Sequence, residues 1–226
     1  MILLGIETAT QICAAALIKD GLLLAEFRLN IKNIHAKKLP LLIQHLCNLA
    51  DIEASQLSGI AVSIGPGSFT GLRIGLSFAK GLAFTDGIPI IPVGTLEALA
   101  KQCPSDKVVV PTLFARNEEV YAAAFQHQDG SLRKIKEVTV LHINDLPQFA
   151  PGRFLVIPPA HKSIQQQMDQ LELEYASPEF SLPAAATVAK LGHEHILQGG
   201  PIPDPSTLEP AYYQNFVPGK PKKRTG

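Results

Sequence analysis

The residues best suited to chemistry lie in the glycine-rich segment SIGPGSFTGLRIG at residues 63–75. Gly65 and Gly67 flank a proline, and the hydroxyl residues Ser68 and Thr70 follow where a strand pattern changes into a helix pattern. Glycines at such a turn let backbone N–H groups converge at a helix N-terminus, which favours an anion. The spacing is neither that of a P-loop nor that of a dinucleotide-binding GxGxxG motif. A tight, capped turn that holds no ligand is the alternative interpretation.

A second candidate site is the sequence GIETAT at residues 5–10. Glu7, Thr8 and Thr10 stand at the end of the first predicted strand and in the turn that follows it. A carboxylate together with hydroxyl groups can hold Mg²⁺ and a phosphate. We therefore predict that these three residues and the glycine-rich turn form a nucleotide or anion site. A single glutamate in a turn is also compatible with a purely structural role.

The helix predicted after the glycine-rich turn is almost uncharged. Arg73 and Lys80 are its only charged residues between positions 70 and 84, and Gly71, Gly75 and Ala79 recur at intervals of four. A helix that is apolar on all sides is buried on all sides. Each glycine lowers the stability of a helix by up to about 1 kcal/mol relative to alanine. We therefore expect the glycines to serve a purpose that alanine cannot, and the simplest is to let another backbone approach the helix closely.

Two interpretations of this stripe of small residues stay open. The helix packs against another part of its own chain, or it forms a subunit interface together with the neighbouring predicted helix at residues 35–50. The second interpretation expects Gly75→Arg to break the contact while the chain still folds. It assigns the contact surface to Leu39, Leu42, Leu46, Gly71, Leu72, Gly75, Leu76 and Ala79.

Composition and charge exclude several classes of protein. Of the 226 residues 46% are hydrophobic, and Lys+Arg equals Asp+Glu at 20 each, which argues against a disordered chain and against a surface devoted to nucleic acid. The three cysteines are widely spaced and the seven histidines scattered, so no disulfide framework, metal site or cofactor is predicted. No signal peptide and no apolar run of about 20 residues is recognisable, so we expect a cytoplasmic protein without a membrane span.

The pattern of apolar residues predicts an α/β fold of two similar halves. Each half opens with three antiparallel strands, and Asp20-Gly21 and Asp129-Gly130 mark the tight turns within them. The predicted strands are 2–6, 12–18, 22–29, 59–64, 88–93, 107–114, 120–126, 132–140 and 153–157. The predicted helices are 35–50, 70–84, one that Thr95 caps and that runs to about 102, 143–148, 161–171, and one opened by Ser181 and Pro183 that ends at Gly199-Gly200.

The domain boundaries follow from this repetition and from proline. Residues 1–103 form an N-terminal lobe that carries the two candidate interface helices, and residues 104–205 form a C-terminal lobe. Residues 206–226 are predicted to be an extended tail whose basic end, KPKKR at 220–224, is disordered and solubilising; contact of these lysines with RNA phosphates is the alternative.

Four segments together resemble one known family. They are GIETAT at 5–10, GPGSFTGLRIGLSFAKGLA at 65–83, ARNEEVYAA at 115–123 and EPAYYQN at 209–215. In this order they resemble the TsaB (YeaZ) family of bacterial tRNA threonylcarbamoyladenosine biosynthesis proteins. The larger relative TsaD shares part of the second segment but carries a metal-binding histidine pair. In this chain Leu39 stands four residues after His35, where a second histidine would be needed for such a pair. The chain therefore resembles TsaB more than TsaD.

The resemblance implies a two-lobed, actin-like ATPase fold of the sugar kinase class. It also implies a non-catalytic subunit that binds and supports TsaD, the enzyme that transfers a threonylcarbamoyl group to N6 of an adenosine in tRNAs reading codons that begin with A. A TsaE-type ATPase joins the assembly, and tRNA is reached only indirectly. The family's partner surface uses the two N-terminal helices. Without TsaD, the same apolar surface is expected to pair with a second copy of the chain.

Four residues depart from the family pattern. Glu7 often is aspartate in the family, Phe114 stands where aspartate is common, Glu118 replaces glycine, and Gln214 stands where arginine is common. These departures argue against a working nucleotide cleft in this chain. The alternative functions are an ATP-dependent phosphotransferase, which the fold class often hosts, and a glycoprotease, for which the sequence offers no set of metal ligands.

Overall fold

The first half of the chain builds a mixed five-stranded sheet. A computed structural model describes residues 1–213 of the 226-residue chain. The strand order is β3-β2-β1-β4-β5, in which β1 pairs antiparallel with β2 and parallel with β4. These strands are β1 Ile2–Glu7, β2 Ile12–Lys19, β3 Leu22–Asn30, β4 Gly59–Gly65 and β5 Ile90–Gly94.

The second half repeats this arrangement. Its five-stranded sheet has the order β10-β9-β6-β7-β8, with antiparallel pairs β6–β7 and β7–β8 and a parallel pair β6–β9. The strands are β6 Val108–Arg116, β7 Glu119–Gln128, β8 Ser131–His142, β9 Phe154–Ile157 and β10 Glu174–Tyr175. The predicted Asp-Gly turns are confirmed, because both residues of each pair adopt the positive φ that this turn requires.

Helices cover both faces of the first sheet. Helices α1 (His35–Leu49) and α2 (Phe69–Asp86) pack on the face that carries Leu4, whereas α5 (Ala185–Leu197) packs on the face that carries Leu3. Because successive strand residues point to opposite faces, a strand covered on both sides must be apolar throughout. The unbroken apolar runs of β1, β2 and β4 have this cause.

The two halves are held together by helices that cross between them. In α3 (Thr95–Lys101), Leu96 and Leu99 join the core beneath the second sheet, while Ala98 joins the core of the first sheet. Helix α5 belongs to the second half by sequence but covers the first sheet. The short helix α4 (Lys162–Met168) packs on the second sheet through Ile164. The boundaries at 103/104 and 205/206 stay predictions, and residues 214–226, with the basic cluster 220–224, lie outside the described residues.

Most predicted elements are present, with ends that shift by one to three residues. Three details are wrong. Thr95 is the first residue of α3 and not its cap, and Ser181 ends a short 3-10 helix instead of opening α5, which begins at Ala185. The two-residue strand β10 was not predicted, because a strand of that length carries no periodic signal. Among residues 1–213, no helix combines the length and the apolar character needed to cross a bilayer.

Packing of α5 on β1 can be tested at Gly5. A Cβ atom at Gly5 would lie 2.1 Å from the backbone oxygen of Ala185, so we expect Gly5→Ala to lower the free energy of unfolding by more than about 2 kcal/mol. At Gly81 a Cβ atom would meet nothing within 4 Å, so Gly81→Ala should raise that free energy by about 0.5–1 kcal/mol. Urea unfolding followed by circular dichroism measures both. Equal stability of Gly5→Ala and the unmodified chain would contradict this packing.

Candidate functional site

A cleft between the two halves is lined by several of the predicted site residues. Its volume is about 690 Å³. The first half contributes the β1–β2 turn with Thr10 and the N-terminus of α2 with Gly67, Ser68 and Thr70. The second half contributes the end of β6 and the residues that precede α4. The structure therefore brings several residues of the two candidate motifs to one cavity.

The glycine-rich turn is shaped by close contact with the β1–β2 turn. The backbone N–H of Ser68 donates to the Ala9 oxygen at 2.7 Å, and a Cβ atom at Gly67 would lie 2.3 Å from that same oxygen. The Ser68 hydroxyl accepts a hydrogen bond from the Gly71 N–H at 3.2 Å and so caps α2. Gly65, with φ of 127°, lies against Ala211 instead of lining the cleft. The capped turn that the sequence predicted is thus present.

Glu7 is a buried structural group, and its predicted role as a Mg²⁺ ligand is corrected. Its side chain is fully buried, one carboxylate oxygen accepts the Ala9 N–H at 2.6 Å, and the other accepts the Ser63 hydroxyl. Burial raises the pKa of Glu7 from 4.5 to about 7, although the hydrogen bonds from Ser63 and Ala9 oppose that shift. Among the described residues, no group of three or more His, Cys, Asp and Glu side chains could hold a metal ion.

The stripe of small residues on α2 receives the β1–β2 turn of its own chain. A Cβ atom at Gly71 would lie 2.1 Å from the Thr8 backbone oxygen, and one at Gly75 would lie 2.2 Å from Thr8 Oγ1. Thr8 is fully buried, and its hydroxyl has no hydrogen-bond partner among the described residues. Thr8 is therefore a packing residue beneath the cleft. Gly71 and Gly75 therefore pack against their own chain, as the first interpretation of the stripe expects.

All eight predicted interface residues are buried inside the first half. Leu39 nevertheless lines a surface groove and Gly71 lines the cleft, and the assignment of the eight residues to an interface stays a prediction. Gly75→Arg would clash with Thr8, so the expectation that this variant folds normally is wrong. Besides Leu39 and Gly71, the eight residues are Leu42, Leu46, Leu72, Gly75, Leu76 and Ala79.

The outer faces of the two helices form that groove. We call it the α1–α2 groove; it is lined by Ala36, Leu39, Pro40, Phe69, Thr70, Arg73, Ile74, Ser77 and Phe78. Farther along α2, the Phe84 side chain is 90% exposed. Phe84 does not line the α1–α2 groove; it lines a second cavity together with Lys80 and Pro89.

The C-terminal segment runs beside α2. Arg73 Nε donates to the Tyr212 hydroxyl at 3.0 Å, and the Arg73 guanidinium lies 3.9 Å from the centre of the Phe69 ring. The Ala211 N–H donates to the Ile64 oxygen at 2.8 Å, which ties the segment to the end of β4. This arrangement gives the EPAYY residues a structural role beside the outer face of α2. The departure at Gln214 lies outside the described residues.

The second half brings an aromatic pair and a serine to the cleft; the sequence pointed to Phe114 only as a departure from the family pattern and did not point to His161 or Ser181. Phe114 and His161 stack with ring centres 4.0 Å apart and planes inclined by 5°, and both line the cavity. Ser181 also lines it and is 3% exposed, and its hydroxyl has no partner among the described residues. Lys32, from the first half, also lines the cavity. These residues lie far apart in sequence, so only the fold brings them together.

Comparison with models of known protein families shows which family the chain belongs to. The model of the family TsaD, tRNA N6-adenosine threonylcarbamoyltransferase, matches residues 24–191. The chain belongs to this family. Within the TsaD family, its full-length similarity is to the TsaB members: it is 27% identical over 227 residues to the tRNA threonylcarbamoyladenosine biosynthesis protein TsaB of Escherichia coli, with 97% of each chain covered.

Other relatives cover less of their own length. Identity to TsaB of Bacillus subtilis is 35% over 136 residues, which span 60% of this chain and 59% of that protein. A TsaD-family transferase of Thermosipho africanus is 33% identical over 41% of this chain and 33% of its own length. The solved structure of YeaZ from Pseudomonas aeruginosa superposes with a TM-score of 0.80 at 26% identity, covering 93% of this chain and 99% of that one. The resemblance to TsaB (YeaZ) and the two-lobed actin-like α/β fold are confirmed.

The buried carboxyl group of this TsaD-family chain makes its stability depend on pH. Because the pKa of Glu7 is raised to about 7 in the folded chain, the stabilisation from its bound proton is complete below the unfolded value of 4.5 and is lost as pH rises through 7. Glu7→Gln cannot ionise, yet its amide can accept from Ala9 and donate to Ser63. We expect its unfolding free energy, relative to the unmodified chain, to rise by a few kcal/mol, roughly 2–3, from about pH 5 to pH 8.

Urea unfolding at several pH values measures this difference. Glu137→Gln is the matched control, because Glu137 is 82% exposed and its ion pair with Lys134 lies at the surface. The control should follow the unmodified chain at every pH. Parallel pH profiles for Glu7→Gln and the unmodified chain would show that Glu7 does not titrate as this burial requires.

Proposed function

We propose that the chain is a TsaB-type partner subunit in the biosynthesis of N6-threonylcarbamoyladenosine in tRNA, and that it binds a TsaD-type transferase. The observation that carries this proposal is the alignment with E. coli TsaB, which spans 97% of both chains. Alignment with the T. africanus transferase spans 41% of this chain and 33% of that enzyme. The full-length architecture is thus that of the TsaB relative.

Non-catalytic status is part of the proposal. Glu7, the carboxylate of the first candidate motif, is buried and accepts two hydrogen bonds inside the fold, so it is not presented to a substrate. None of the described residues that line the cleft is aspartate or glutamate. Phosphoryl transfer and metal-assisted hydrolysis both use such groups to hold a metal ion or orient a nucleophile. The phosphotransferase and glycoprotease alternatives therefore have weaker support in this site.

The docking surface in this proposal is the α1–α2 groove. Its outer positions Ile74 and Phe78 are half-buried, Ser77 is exposed, and Phe84 continues the apolar surface toward the end of α2. A protein contact of standard size buries about 1,600 Å² in total, which requires the outer faces of both helices. We propose that TsaD occupies this surface, that a TsaE-type ATPase joins the assembly, and that a second copy of the chain pairs there when TsaD is absent. Contact with tRNA is then made through the complex.

Ser77 offers a direct test of this surface. Its exposed side chain lines the α1–α2 groove, so Ser77→Arg leaves the core untouched but would bury an unpaired charge beside Arg73 in the complex. We expect affinity for a TsaD-type transferase of the same source to fall at least about tenfold. The control Gln166→Arg places the same side chain on the exposed face of α4.

Size-exclusion chromatography with light scattering and calorimetric titration measure both variants. The control should form the complex as the unmodified chain does, and both variants should unfold at the same urea concentration. Loss of self-association in Ser77→Arg would place the second copy on the same groove. If Ser77→Arg and Gln166→Arg bind TsaD with equal affinity, the groove is not the docking surface.

Reconstitution distinguishes a partner subunit from an enzyme. Threonylcarbamoyl-AMP, tRNA, TsaD and TsaE are combined with and without this chain, and threonylcarbamoyl transfer to tRNA is measured. We expect modification only when TsaD is present and a strong increase when the chain is added. Modified tRNA formed by this chain without TsaD would overturn the non-catalytic assignment, and an unchanged rate after its addition would overturn the supporting role.

A further inference from the structure

Arg73 is the one charged residue among the described residues that line the α1–α2 groove. Its side chain is exposed. Its polar and ring contacts within residues 1–213 are with Phe69 and Tyr212, and no carboxylate lies within ion-pair distance of it. The groove therefore carries a cation that this part of the chain does not pair with an acidic group.

The guanidinium group of Arg73 is held in one orientation from two sides. Its Nε donates to the Tyr212 hydroxyl at 3.0 Å, and the guanidinium carbon lies 3.9 Å from the centre of the Phe69 ring. The rings of Phe69 and Tyr212 are 5.1 Å apart, centre to centre. Tyr212 is positioned in turn by its neighbour Ala211, whose N–H donates to the Ile64 oxygen at 2.8 Å.

The two terminal nitrogens of Arg73 are available to a ligand. Within residues 1–213, Nε is the only nitrogen of this side chain that donates a hydrogen bond. The two Nη groups form a planar fork that matches both oxygens of a carboxylate. Because Nε is already fixed, the fork loses less conformational freedom on binding. An oriented arginine beside apolar residues is typical of the side chains that contribute most to protein–protein affinity.

The two helices that form the groove are positively charged, although the formal net charge of the whole chain is +0. Helices α1 and α2 contain Lys37, Lys38, Arg73 and Lys80 and a single acidic residue, Asp86. Asp86 is the last residue of α2, about 20 Å from Arg73 along the helix. A partner with acidic groups complements this surface, whereas a second copy of the chain brings like charges together.

We propose that the partner docked in the α1–α2 groove presents a carboxylate side chain to Arg73, and that the same positive charge disfavours the pairing of two copies through this groove. The inference rests on the docking of a TsaD-type transferase proposed above and adds the chemistry that distinguishes this partner from a second copy. Tyr212 is a positioning residue, since its hydroxyl holds Nε. Because Arg73 takes the carboxylate, the charge that Ser77→Arg adds beside it stays unpaired.

Calorimetric titration with a TsaD-type transferase of the same source tests the contact. Arg73→Gln removes the fork and should weaken the affinity at least about tenfold, because the carboxylate of the partner is left buried without its donor. The matched control Arg133→Gln removes the same charge from an exposed position on β8 and should change the affinity less than about twofold.

The positioning role of Tyr212 is tested in two backgrounds. Tyr212→Phe keeps the ring but loses the hydroxyl, and it should weaken binding about threefold in the otherwise unmodified chain. In the Arg73→Gln variant the same change should have no effect, because there is no guanidinium left to orient. A hydroxyl that served only the stability of the segment would lower the affinity equally in both backgrounds.

A carbodiimide crosslink identifies the group that the partner presents. Arg73→Lys keeps the positive charge and introduces a primary amine, which a carbodiimide joins as an amide to a carboxylate in contact with it. Binding should weaken about threefold to tenfold, because an ammonium group lacks the fork. Mass spectrometry of the crosslinked complex should find residue 73 joined to an aspartate or glutamate of the transferase. The unmodified chain, with no primary amine at residue 73, is the control.

Salt dependence distinguishes the partner from a second copy. Raising the ionic strength from about 0.05 M to about 0.5 M should weaken binding of the transferase and strengthen self-association, since salt screens attraction in the first complex and repulsion in the second. Arg73→Gln should reduce both effects, whereas Arg133→Gln should reduce neither. Calorimetry measures the first affinity and analytical ultracentrifugation the second.

The outcomes separate this inference from the docking proposal. If Ser77→Arg abolishes binding while Arg73→Gln and Arg133→Gln bind equally well, the groove is the docking surface but the carboxylate contact is wrong. A complex in which residue 73 of Arg73→Lys is joined to no carboxylate of the transferase would also overturn the inference. So would self-association that weakens with salt as transferase binding does. Urea unfolding verifies that each variant is as stable as the unmodified chain.

Discussion

The packing of the β1–β2 turn against α2 determines where the other site residues of the first half lie. Thr8 occupies the space that side chains at Gly71 and Gly75 would otherwise fill. Because the contact is made by backbone and a short hydroxyl side chain, no residue larger than glycine fits on the helix side. The same approach brings the Ala9 oxygen to the Ser68 N–H, so the turn and the start of α2 form one wall of the cleft.

Burial of Glu7 follows from this seating. The β1–β2 turn closes over the end of β1, and the carboxyl group is left with two donors, the Ala9 N–H and the Ser63 hydroxyl. Two hydrogen bonds do not compensate fully for removal from water, which is why burial dominates and raises the pKa of Glu7 to about 7. A residue that the sequence offered as a metal ligand therefore acts as a link between β1 and β4.

The sequence predicts local features well and distant contacts poorly. The Asp20-Gly21 turn, the capped start of α2 and the three-strand meander that opens each half follow from turn chemistry and periodicity, which act over a few residues. The sequence does not predict what the small residues of α2 contact, because a stripe of glycines accommodates a partner helix and an internal turn equally well. Nor does periodicity reveal that α5 returns to the first sheet or that Ser181 reaches the cleft.

The two faces of helix α2 therefore have different roles. The inner face packs against Thr8, whereas the outer face carries Arg73 and Ser77, which line the α1–α2 groove. Thr70 and Phe69 line both the α1–α2 groove and the cleft, so the two surfaces meet at the first turn of one helix.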